Sequence, residues 1–206
     1  MRKGEHTRQE ILRKAASIFN RRGYAGAALS ELMEATGLQK GGIYRHFDSK
    51  QQLAAEAFDY AWKEVLKARL EGLHEIPNNV DRLKQLVANF VERRGIIGGG
   101  CPLLNTATDN DDGDPLLRER ARAALRSWRN ELAATVASGI KKKEIRSDVD
   151  ASEVANVLIA ALEGATMLSY LEGDSSPLRR VQKHLDDYLE REVRRGKRLA
   201  KAKGRR

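Results

Sequence analysis

The stretch LSELMEATGLQKGGIYRHFDSK, from Leu29 to Lys50, restricts the fold of this chain more than any other part of it. Leu29, Leu32, Met33 and Ala35 recur at helical intervals and predict a short helix that starts at Ala28 or Ser30. Gly37 ends it, because glycine enters the left-handed conformation of a helix stop without a Cβ penalty. Leu38 anchors the turn, and a second short helix is expected over 40–47, with Ile43 and Phe47 facing inward. Two short helices on so tight a glycine turn form a helix-turn-helix.

The outward face of the second helix carries Lys40, Tyr44, Arg45 and His46. Cations and a phenol suit phosphate oxygens, and an arginine bonds guanine bidentately. The expected DNA-binding set is Gln39, Lys40, Gly41, Tyr44, Arg45, His46 and Lys50. Within it Lys40, Tyr44, His46 and Lys50 would hold phosphates, while Gln39 suits adenine and Arg45 guanine.

The flanks sharpen the assignment. Thr7, Ile11, Leu12, Ala15, Ala16, Phe19 and Gly23 precede the motif, and Leu32, Ala35, Gly37, Leu38, Lys40, Gly41, Tyr44, Phe47, Lys50 and Leu53 run through it. In order and spacing this stretch, about the first quarter of the chain, resembles the tetracycline-repressor (TetR) family. The resemblance implies a dimeric, all-helical, ligand-responsive repressor. The sequence departs from the family pattern at Ala27 and Ala28, where a Thr or Ser pair is usual, at Gln39, usually Ser, and at Gly42. Alanine neither caps a helix nor bonds a phosphate. Readout is therefore expected to lean on Gln39, Lys40, Arg45 and the backbone.

Charge divides the chain in the same place. Residues 1–50 hold 10 Lys/Arg against 5 Asp/Glu, residues 51–193 hold 20 against 24, and residues 194–206 hold 8 against none, which together make the net +9. The expected domains are a basic DNA-binding head over 1–50, an acidic effector-binding and dimerisation body over 51–193, and a basic disordered tail over 194–206. No apolar run approaches the length of a membrane helix and no signal peptide is legible, so a cytoplasmic location is expected. One cysteine, Cys101, excludes an intramolecular disulfide.

β signals are few, and the expected fold class is all-α: a three-helix head and a larger helical body. Helices are predicted over 6–22, 29–36, 40–47, 49–72, 79–95, 102–109, 114–142, 151–172 and 176–195. Asp48 or Ser49, Asn79, Cys101, Asp114, Asp150 and Ser176 stand at helix starts, and Pro102, Pro115 and Pro177 at first-turn positions. The last two helices carry apolar stripes, Val154, Leu158, Ala161, Leu162, Ala165 and Leu168 on one, Leu178, Val181, Leu185, Tyr188 and Leu189 on the other. Such stripes fit a core or a partner equally. The family resemblance implies a homodimer through these helices, which suits a palindromic double-stranded DNA operator.

A small-molecule effector pocket is expected among Phe58, Trp62, Phe90, Cys101, Leu104, Asn105, Thr108, Trp128, Glu163, Met167 and Tyr170. Asn105, Thr108 and Glu163 are the telling members if buried, since buried polar groups need partners. Cys101 follows a triple glycine and opens a helix, where the helix dipole, with Arg93 and Arg94, would lower its pKa. Two further modes of control therefore stand beside a ligand: oxidation or alkylation of Cys101, and a protein partner. The stretch TATDNDDGDP lacks the glutamate of a calcium loop and reads as a solvated acidic turn. The four histidines are scattered, so neither an enzyme, a metal site nor a cofactor is expected.

Overall fold

The computed structural model describes residues 3–93 and 95–196. Among them nine α-helices follow one another. The head holds α1 (Lys3–Gly26), α2 (Leu29–Thr36) and α3 (Lys40–Tyr44). The body holds α4 (Lys50–Leu70), α5 (Asn79–Glu92), α6 (Pro102–Asp109), α7 (Pro115–Lys141), α8 (Ala151–Glu172) and α9 (Ser176–Tyr188).

Local signals set most of these boundaries. Gly37, at φ 72°, stops α2 in the left-handed region. Ser49, Asp114 and Asp150 each accept backbone N–H bonds at the start of α4, α7 and α8. Asn78, rather than Asn79, caps α5, and Asn79 is buried behind it, taking the Glu144 carboxylate on its backbone and side-chain nitrogens at 2.8 and 2.6 Å. Ser176 lies inside α9, whose N-cap is Ser175.

Several helices stop short of their predicted ends, α3 and α9 among them. α3 gives way at Arg45, where the His46 N–H bonds the Ile43 carbonyl and tightens the last turn. α9 loosens after Tyr188 into a π-helical turn over Leu189–Val193. Arg194, placed in the tail by charge alone, then pairs with Ile145 in an isolated antiparallel bridge and forms ion pairs with Asp81 and Glu190. Arg195 donates its N–H to the Glu144 carbonyl at 2.8 Å. These two residues close the base of the body; residues 197–206 of the expected tail lie outside the described residues.

α4 links the two parts. It packs on α1 of the head and on α5, α6 and α7 of the body. α8 is long and apolar enough by length and composition to cross a membrane, contrary to the expectation from the sequence. In the fold Val154, Leu158, Leu162 and Ala165 are buried in the body core, as are Leu178, Leu185 and Leu189 of the C-terminal hairpin. Those residues of the two expected dimer stripes are therefore intramolecular core. A second apolar row points out of α8: Val157, Ala160, Met167, Leu168 and Leu171, the last 78% exposed.

Candidate DNA interface and effector site

The head leaves the expected DNA-binding residues wholly or partly open to solvent. Gln39, Lys40, Gly41 and Arg45 are exposed, and Tyr44, His46 and Lys50 half-buried. Ile43 and Phe47 are buried beneath them, so the outer face of α3 is held by its inner face. The Arg8 guanidinium sits 4.7 Å from the Phe47 ring centre and pairs with Glu56 of α4. Lys50 lies 4.8 Å over the Tyr24 ring, a contact that orders its ammonium beside α3. Ala27 is buried, so its lack of a hydroxyl removes nothing from the surface, and the Glu31 carboxylate takes the Ala28 N–H at the start of α2.

The junction of head and body is a hydrogen-bonded seam. Asn20 of α1 donates to the carbonyls of Gly98 and Gly100 at 3.0 and 3.1 Å. Asn105 of α6 answers by donating to the Asn20 carbonyl at 3.1 Å and the Gly99 carbonyl at 2.7 Å. Gly99, at φ 104°, lets the loop approach α1, since a Cβ there would stand 3.1 Å from the Asn20 carbonyl oxygen. Gly23 kinks α1 with φ 72° and ψ 172°, and a Cβ there would stand 2.5 Å from the Asp109 carboxylate. That carboxylate accepts the Tyr24 N–H at 2.9 Å. Asp114 accepts from Gln51 at 2.7 Å. The acidic stretch expected to be a solvated turn thus joins the body to α1 of the head through Asp109 and to the start of α4 through Asp114.

The expected effector residues separate into two groups. Phe58, Asn105, Thr108 and Tyr170 line an open crevice of about 480 Å³ at the seam. Thr108 is exposed, with its hydroxyl bonded back to the Leu104 carbonyl at 3.0 Å. Leu104 is partly buried against the core, and Met167 is half-exposed on the outer row of α8.

The second group closes around a residue that the sequence did not single out. Arg69, in the last turn of α4, is 6% exposed. Its guanidinium carbon lies 4.0 Å from the ring centre of Phe90, 4.8 Å from Trp128 and 5.5 Å from Trp62. Nη2 stands 3.7 Å from the Glu163 carboxylate and 3.5 Å from the Cys101 sulfur. The thiol donates to Glu163 Oε1 at 3.0 Å. Arg69 Nη1, Trp128 Nε1 and Glu163 Oε2 are buried without a hydrogen-bond partner among the described residues. Burial raises Glu163 above the ordinary carboxylate range, against the pull of Arg69.

Cys101 departs from its expected chemistry. It does stand before α6, but burial, with the Glu163 charge beside it, pushes the thiol up to about 11. Arg93, expected to assist it, pairs with Glu71 instead, and Arg94 lies outside the described residues. A thiol so disfavoured as thiolate is a poor nucleophile at neutral pH. Among the described residues no group of three His, Cys, Asp or Glu side chains is placed to hold a metal ion.

Comparison with known proteins bears on both surfaces. Residues 11–57 match the profile described as bacterial regulatory proteins, tetR family, and residues 79–185 that of the tetracyclin repressor-like C-terminal domain. A TetR transcriptional regulator from Chloroflexus aurantiacus is 45% identical, with a TM-score of 0.91 over 95% of this chain and 100% of that one. The transcriptional repressor DhaR of a Mycobacterium strain is 25% identical over 83% of this chain and 86% of its own length. The regulator LmrA of Bacillus subtilis is 28% identical over 90% and 97%.

Proposed function

The chain belongs to the TetR family of transcriptional regulators, which bind operator DNA, and from that premise we propose that it is a homodimeric repressor released by a small-molecule effector bound in its body. It is not an enzyme, its relatives being transcriptional regulators. The dimer would form on the outer apolar row of α8, where Gly164 leaves open space for a partner helix. Two heads related by a two-fold axis would then read a palindrome. Arg45 and Gln39 would read bases, while Lys40, Tyr44, His46 and Lys50 would hold phosphates.

The observation that carries the effector reading is the seam. The loop over 95–100 and the helix α6 lie between the buried polar cluster and the head, with Cys101 touching the cluster and Asn105 bonded to α1. A ligand that shifts the start of α6 would shift α1 and so the spacing of the two heads, a coupling free energy between two sites. Burial of Cys101 argues against control by alkylation.

Selection of bound duplexes from a random library by the purified protein tests the reading. An inverted repeat should emerge, with half-sites set by the distance between two α3 helices. Recovery of single, asymmetric sites would contradict the dimeric reader.

A further inference from the structure

Arg69 is an unusual occupant for the centre of a helical body. Three ring faces and a carboxylate surround it, drawn from α4, α5, α7 and α8. Ring faces are the negative side of the aromatic quadrupole and attract cations. Glu163 adds a full or partial negative charge at the same place. The surround is thus that of a receptor for an organic cation, already filled from within.

Resting on the effector-controlled reading above, the geometry points to an effector that is a flat or compact organic monocation, an amidinium, guanidinium or quaternary ammonium, which takes the box of Trp62, Phe90, Trp128 and Glu163 by displacing Arg69.

Charge accounting favours this over an anion. An anion would meet the Arg69 and Trp128 donors but would also face three ring faces and the Glu163 carboxylate. An incoming cation replaces one positive charge by another, and the buried carboxylate keeps a partner. Displacement needs little backbone movement. Arg69 is next to last in α4, and its carbonyl and that of Glu71 are held by Asn89 at 3.0 and 2.9 Å, so only the side chain must swing away. Trp62 also walls a groove of about 350 Å³ between α4 and α7, beside Phe58, Asp59 and Ala124, which supplies an approach. Departure of Arg69 removes its Nη2 from the Cys101 sulfur, at the residue that precedes α6. The event therefore falls on the element that is stitched to α1.

Benzamidinium, benzamide and benzoate share one ring and differ stepwise in charge. Trp62 and Trp128, the 2 tryptophans of the chain, report occupancy of the box by their fluorescence. Benzamidinium should change that fluorescence, benzamide should bind about tenfold more weakly or worse, and benzoate should not compete. Arg69→Met, which removes the competitor, should tighten benzamidinium by about tenfold or more, and Glu163→Gln should weaken it by a similar factor. Trp62→Leu, a milder change, should also weaken it should Arg69→Met fail to fold by circular dichroism. Preference for benzoate, lost in Arg69→Met, would make the box an anion site and overturn the inference. So would absence of benzamidinium binding to folded wild-type protein and Arg69→Met, or to wild type alone where that variant does not fold. Operator release, followed in parallel, separates the two readings. Occupancy of the box without release contradicts effector control through this site and leaves the box standing. Release by compounds that leave tryptophan fluorescence unmoved contradicts the box and leaves effector control standing.

Discussion

Arg45 on the head and Arg69 in the body are the same side chain in opposite surroundings. Arg45 is exposed and forms no ion pair among the described residues, its forked donors open to solvent. Arg69 is buried against three rings, a thiol and a carboxylate. The exposed arginine contributes little to folding and keeps its hydrogen-bonding capacity for a partner that comes and goes. The buried one has been desolvated already, so its interactions are tied to the stability of the body, and any ligand there must compete with the protein itself. The two ends of a regulator thus differ in kind: one is an open surface, the other a filled one.

The largest effect should come from breaking the buried pair. Glu163→Ala leaves the Arg69 charge unpaired in the core and should cost about 3–5 kcal/mol in urea unfolding, while Arg69→Met with Glu163→Leu together should cost less than either single change. Additive losses would show that the two side chains do not act as a pair. On the open side, Arg45→Ala should fold normally and lose about 1–3 kcal/mol of discrimination between selected and random duplex. An equal loss on both would move Arg45 from base reading to phosphate contact. Lys50→Ala should weaken all duplexes alike and reduce the salt slope of binding by about 1. The smallest effect belongs to Cys101. Because its thiol is pushed up to about 11, iodoacetamide should label it slowly at pH 7–8 and faster only as the pH nears that value, leaving operator binding at neutral pH unchanged. Rapid labelling at pH 7 with loss of binding would restore the sensor reading.

The open end was legible in sequence because its signals are local. The Gly37 stop, the inward Ile43 and Phe47 and the outward Lys40 and Arg45 all follow from spacing within two short helices, and α2 runs over the expected residues. α6 and α8 also have their expected bounds, since Pro102 and Asp150 mark them. The filled end was legible only in part. Glu163 in an apolar helix was a hint, but Arg69 near the end of α4 reads as an ordinary cation favoured by the helix dipole. Its burial depends on Phe90 and Trp128, which come from other helices far along the chain. The same holds at the seam, where Asp109 and Asp114 look like solvated acids until α1 and α4 are brought against them. It holds too for α8, whose polar interruptions are too few to say which apolar face is core and which points outward.

The central claim, that two heads act as one symmetric reader, is tested most directly by the mass of the complex on a selected operator. Two chains of 23.1 kDa, or an even multiple, should bind each inverted repeat, and Leu168→Arg on the outer row of α8 should abolish that complex while leaving the helical fold intact. A single chain bound to the full site, or an unchanged complex in Leu168→Arg, would contradict the dimer placed on that face.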